Sequence, residues 1–246
     1  MCNRVENAVG PLPENWINLE PNDFDYGRYE PNIVAALYKA GEVFQAFCQA
    51  RSLLIDSAEV DNQEPEGMGR TFRKATLLQA ALMQYISCWD LSWQPLWFKY
   101  VEESNRQIID DVDYYEECIE RCRKRQLRSR LRNVNANGIL EHIDSRDDDE
   151  FWSSLRDTYN YMKHRGTHHI QGIGENPQYA HFVVNGRRPH IIAHREFDVE
   201  RWTDNLIRFH REFIDYFNVI IADIVPDDYY ENINGEDLLR GMLSLV

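Results

Sequence analysis

No stretch of the sequence holds about eighteen consecutive apolar residues, the length a helix needs to cross a bilayer, so no segment reads as a membrane span. Cysteine is scarce. Cys2, Cys48, Cys88, Cys118 and Cys122 lack the spacing of a secreted disulfide framework. Cys118 and Cys122 stand four apart on a predicted helix, which is poor geometry for bridging each other. The opening residues, MCNRVENAVG, have no apolar signal-peptide core. A reducing, cytoplasmic compartment is the expectation. Positive charge is also in deficit, with 27 Lys and Arg against 41 Asp and Glu and a net charge of −14. That excludes nucleic-acid binding spread over the whole surface, while leaving room for a local basic site. The G-x-S-x-G elbow, the phosphate-loop motif and the dinucleotide fingerprint are absent, as are internal repeats and low-complexity segments.

What is present is helical periodicity. The 246 residues suffice for one large domain or two small ones. The pattern predicts an irregular arm over 1–30, anchored by Trp16 and Phe24, then a single mainly α domain over 31–225. An acidic tail follows over 226–246, with a short helix near 236–245. The domain reads as a helical bundle of about five main helices with a β-hairpin inserted near 180–193. Pro31 opens a helix that runs to about Ala58, and VDNQEPEGMG (60–69) reads as a loop. A second helix covers Arg70 to about Ser92 and must break at Pro95, with a short extension beyond. Trp89, Trp93 and Trp97 recur at helical spacing. They read as core, with a base-stacking platform as the alternative.

A third helix is predicted over 111–133, with Val112, Tyr115, Ile119 and Cys122 on its apolar side, closed by Asn-Ala-Asn-Gly at 135–138. Asn185-Gly186 between β-prone runs predicts a two-residue hairpin turn, with 184 opposite 187 and His181 facing His190. Asp198 caps a last long helix whose stripe is Val199, Trp202, Leu206, Phe209, Phe213, Phe217 and Ile220, ended by Pro226.

The stretch most suited to chemistry is FWSSLRDTYNYMKHRGTHHI, 151–170. At 100° per residue, Phe151, Trp152, Leu155, Tyr159 and Met162 share a sector of about 100° and predict a core-facing stripe. Arg156, Asn160, Lys163 and His164 share a second sector on the far side. Acids at 147–150 suit the positive N-terminus, and Lys163, His164 and Arg165 gather at the negative pole before Gly166. A cationic end can simply complement the dipole. Asn160 is a mediocre helix former and needs another reason to sit there.

The second feature is a basic run in an acidic chain. Arg121, Arg123, Lys124, Arg125, Arg128, Arg130 and Arg132 make seven basic residues in twelve, with no acid until Glu141. Like charges repel along a helix, so the run needs neutralising. A phosphate backbone would do so, and so would the chain's own acids at 144–150 or after Pro226.

Three chemistries are open to the central stretch. His164, His168 and His169, with His181, His190 or His194, could hold a metal, although no carboxylate or Cys stands at a matching spacing. Nucleophilic hydrolysis lacks its motif. Metal-free phosphodiester cleavage needs a His to move a proton, a cation for the phosphorane charge and a group such as Asn to fix geometry.

Asn160-Tyr161-Met162-Lys163-His164-Arg165-Gly166 resembles the polar signature of the HEPN superfamily, small helical bundles that are often dimeric and include many ribonucleases of bacterial toxin and antiviral systems. The resemblance covers about ten residues and the all-helical layout. It implies His164 as the acid/base group, Asn160 as its partner one turn earlier, cations such as Lys163 and Arg165 on phosphate, no cofactor, and a homodimer with one shared cleft. Where the family's arginine precedes the asparagine, this chain has Tyr159. Arg156 lies roughly 12 Å from His164 along the axis, and its side chain leans further away. Arg165 or a partner subunit must then supply the guanidinium. RNA is thus the expected partner, with Arg121, Lys124, Arg125, Arg128, Arg132 and Arg156 as candidate phosphate contacts. A non-catalytic dimeric scaffold that binds a partner protein is the alternative from a different class.

Overall fold

The structure, a computed structural model, describes residues 2–230, so the short helix expected near 236–245 lies outside the described residues. The chain is mainly helical. In order it forms α1 (Cys2–Val9), α2 (Glu14–Ile17), α3 (Asp25–Arg28), α4 (Pro31–Gln63), α5 (Met68–Ser92) and α6 (Gln94–Tyr100). Then come α7 (Gln107–Asp110), α8 (Val112–Arg121), α9 (Lys124–Asn133), α10 (Asn137–Asp147) and α11 (Glu150–His164). Two short strands, β1 (His169–Ile170) and β2 (Glu196–Phe197), precede α12 (Val199–Ile224). No helix among the described residues is long and apolar enough to cross a membrane.

The residues gather into two compact units, each assembled from separated segments. The first comprises Met1–Gly10, Phe47–Ile86 and Glu150–Arg211. Its core joins Phe47 and Leu54 of α4, Leu78, Leu82 and Tyr85 of α5, Trp152 and Leu155 of α11, and Leu206 and Phe209 of α12, all fully buried. Trp152 packs on Phe209 with ring centroids 4.5 Å apart, and Phe197 stacks flat on Trp202. A histidine is enclosed with them. His210 lies against Phe47 at 4.5 Å, and its Nε2 is 3.1 Å from the Val9 carbonyl oxygen. A carbonyl only accepts, so Nε2 carries the proton in neutral imidazole. Nδ1 then accepts from the Tyr85 hydroxyl at 2.8 Å.

The second unit comprises Pro11–Ala46, Ser87–Asp149 and the described residues from Glu212. Trp16 anchors its N-terminal segment, edge-on to Phe44 and Phe217, while its Nε1 donates to Asn218 Oδ1 at 2.8 Å. Phe24 is exposed and is not the second anchor expected. Nor is the stretch before Pro31 an irregular arm, since it forms α1, α2 and α3. Of the three spaced tryptophans, Trp89 and Trp97 are buried in the core and Trp93 is half-buried. Pro95 sits in the first turn of α6, where its missing N–H costs nothing.

Further expectations give way. Helix α4 continues to Gln63, because Val60 is buried and extends the apolar spacing past the polar residues. The helix expected over 111–133 is two helices, since Cys122 and Arg123 adopt extended backbone angles. Val112, expected on the apolar side, is 74% exposed. Helix α10 begins within the Asn-Ala-Asn-Gly stretch expected only to close the preceding helix, and it buries Ile139, Leu140 and Ile143.

Candidate functional site

Helix α11 ends as its composition dictates. Glu150 lies in the first turn, and Lys163 and His164 lie in the last. The N–H groups of Arg165 and Gly166 both donate to the Tyr161 carbonyl oxygen, at 2.8 and 3.1 Å. Gly166 follows with φ +155°, a value that residues with a Cβ rarely adopt. Trp152 and Leu155 are buried, whereas Phe151, Tyr159 and Met162 of the expected stripe are half-buried. On the other side Asn160, Lys163, His164 and Arg165 are exposed. Asn160 and His164, one helical turn apart, make no hydrogen bond among the described residues. The Lys163 ammonium sits 5.5 Å from the centroid of the Tyr159 ring. Arg156 is half-buried.

Beyond Gly166 the chain makes an excursion closed at its base by β1 and β2, which pair in parallel with His169 beside Glu196 and Ile170 beside Phe197. Asn185 (φ +50°) and Gly186 (φ +76°) form the tight turn that Asn-Gly predicts, with reciprocal Val184–Arg187 hydrogen bonds of 2.9 and 3.0 Å. The two flanking runs do not form strands, however. Only isolated bridges occur, and His190 opposes Tyr179 rather than His181. The register slips by two residues between the turn and the second bridge, so the extension of 184 opposite 187 fails. Residues 181–188 are all exposed, including Phe182, Val183 and Val184.

The excursion is tied to α11 by a cluster that sequence reading missed. Arg195 donates to Asp157 at 2.7 Å and its guanidinium lies 4.5 Å from the Tyr161 ring centroid. His168 packs edge-on to Tyr161 at 4.9 Å. Burial, then the nearby Arg195 charge, lowers the His168 pKa below its ordinary value. Its Nδ1 is enclosed without a hydrogen-bond partner among the described residues. The i, i+4 spacing of Asp157 and Tyr161 is visible in the sequence, but nothing local pairs them with Arg195. The other histidines go separate ways: His190 packs on Tyr179, and His194 lies 3.2 Å from the Thr167 carbonyl oxygen. Among the described residues no three His, Cys, Asp or Glu side chains gather to hold a metal.

The basic run belongs to the second unit, and part of it is engaged there. Lys124 reaches Asp147 at 2.7 Å. Arg128 reaches Asp144 at 2.8 Å and Asp147 at 2.7 Å. Arg121 pairs with Glu102 at 3.3 Å, and Arg130 donates to the Tyr100 carbonyl oxygen. Arg125 and Arg132 are exposed and make no ion pair among the described residues. Of the candidate residues, then, Asn160, Lys163, His164 and Arg165 share the end of α11. Arg121, Lys124, Arg125, Arg128 and Arg132 lie on α8 and α9.

No protein-family model matches the chain, and neither the curated proteins nor the solved structures contain a significant match to it.

Proposed function

We propose that this is a HEPN-like protein that acts on RNA at the C-terminal end of α11, without a metal, as a homodimer. The carrying observation is the exposed row of Asn160, Lys163, His164 and Arg165, whose Asn and His have no structural partner among the described residues. Two polar side chains held one turn apart on a rigid helix suit a proton donor and its positioning group. The flanking cations suit phosphate. In the reaction the His164 imidazole takes the proton of a ribose 2′-OH. The 2′-oxygen then bonds to phosphorus, the bond from phosphorus to the 5′-oxygen breaks, and a proton returns to that leaving oxygen. Lys163 and Arg165 stabilise the phosphorane charge. Incubation of the purified protein with total RNA in EDTA tests the proposal, with His164→Ala and His168→Ala alongside wild type. Loss of cleavage in the first variant only is expected, and cleavage that needs added Zn²⁺ or Mn²⁺ would overturn it.

Two observations favour a second reading, a non-catalytic scaffold that binds a protein. No described side chain orients the His164 imidazole, and Tyr159 stands where the family's arginine belongs. Absence of cleavage under every condition, in a protein of stable dimer mass, would select that reading.

A further inference from the structure

The second unit contains a hollow that neither the α11 site nor the basic run uses. It lies among α3, α4, α7 and α8, holds about 230 Å³ and is open to solvent, which is below the volume of a drug-sized ligand's pocket and leaves room for a small one. We propose that it binds a small organic cation bearing a hydroxyl or similar hydrogen-bonding group, held between tyrosine rings and a carboxylate.

Three observations point to that class. Three tyrosines stand on the wall among aliphatic side chains. Tyr38 meets Tyr115 edge to face at 5.7 Å, Tyr115 is backed by the parallel ring of Phe98 at 5.5 Å, and Tyr26 completes the wall. Ring faces attract cations, most strongly where water is partly excluded. Second, the charge has one sign. None of the lining residues is basic, and Asp111 is among them. Asp111 Oδ1 already accepts the N–H groups of Asp113 and Tyr114 at 3.0 and 3.3 Å. Its second oxygen makes no hydrogen bond among the described residues. The nearest lysine in sequence to Tyr38, Lys39, is spent on Glu42 at 2.6 Å. Third, the Tyr115 hydroxyl is enclosed with no partner among the described residues, an expense that an accepting ligand atom would relieve. Burial, then the Glu42 carboxylate, pushes its ionisation up, and burial and Tyr38 do the same for Tyr26. Both phenols are neutral donors at neutral pH.

A purely apolar ligand would leave the Asp111 and Tyr115 groups unused. An anion would face a carboxylate with no cation to offset it. Beyond Tyr26 a neighbouring hollow includes Arg28 and Arg106, each paired with an aspartate, Asp228 and Asp110.

Calorimetric titration of the full chain with choline tests the proposal, with 3,3-dimethylbutan-1-ol as its uncharged counterpart. Choline should bind saturably, and the alcohol at least about tenfold more weakly. Tyr38→Ala and Asp111→Asn should each weaken choline by about tenfold or less. The asparagine keeps the helix cap, so a retained melting temperature separates lost charge from lost fold. Failure to saturate by about 10 mM, equal binding of the alcohol, or unchanged binding in both folded variants would overturn the proposal.

Discussion

Acidification should destabilise this protein through one imidazole. His210 is fully buried, accepts from Tyr85 at one ring nitrogen and donates to Val9 at the other. Burial, only partly offset by the Val9 hydrogen bond, lowers its pKa from 6.5 to about 4. The unfolded chain therefore binds the proton more readily, and stability falls as pH drops from about 6.5, levelling off below about 4. At 1.36 kcal/mol per unit, the full loss from this group is about 3 kcal/mol. Carboxylates titrate in the same window, so the comparison has to be with a protein lacking the imidazole. His210→Gln serves, because its amide can donate to Val9 and accept from Tyr85 without titrating. Urea midpoints at a series of pH values from 7 to 4 should fall more steeply for wild type than for the variant. Parallel curves, or an NMR titration of His210 with its midpoint near 6.5, would mean that the buried imidazole does not set this pH dependence.

The basic run separates residue by residue. Arg125→Glu should leave the melting temperature unchanged and weaken any RNA binding equally across sequences, with a shallower salt dependence. Arg128→Glu should cost stability instead, on the order of 1 kcal/mol after allowance for solvent, since it faces Asp144 and Asp147. Equal behaviour of the two variants would contradict this division. Arg195→Ala removes the Asp157 ion pair and the Tyr161 contact. Limited proteolysis should then cut the 176–192 excursion faster than in wild type while leaving α12 intact.

The punctuation of this chain was legible in advance. Pro31 and Pro95 open helices, Asp198 accepts from the Arg201 N–H at 3.1 Å as the cap of α12, and Asn185-Gly186 makes its turn, because each acts through its own backbone. The mainly helical class followed from periodicity. What escaped was set by tertiary packing. Cys122 and Arg123 leave the helix with neither Pro nor Gly to announce it. Asn137 and Gly138 look like terminators, yet they begin α10, which Ile139, Leu140 and Ile143 stabilise by burial. The runs beside Asn185-Gly186 have strand composition but lack a neighbouring sheet to complete them. At the candidate site, the polar row of α11 was readable from spacing. The Arg195 clamp was not, because its partners lie on another segment.

In the proposed reaction His164 moves the proton of a ribose hydroxyl at the end of α11. A single-turnover assay in EDTA tests it most directly, using an RNA oligonucleotide and the same strand with a 2′-deoxy sugar at the cleaved linkage. The first strand should give a 2′,3′-cyclic phosphate product, and the second should not be cut at that linkage. His164→Ala should lose rate on the order of 10²–10⁴-fold. Cutting at the deoxy linkage, or an undiminished rate in His164→Ala, would contradict the proposed reaction.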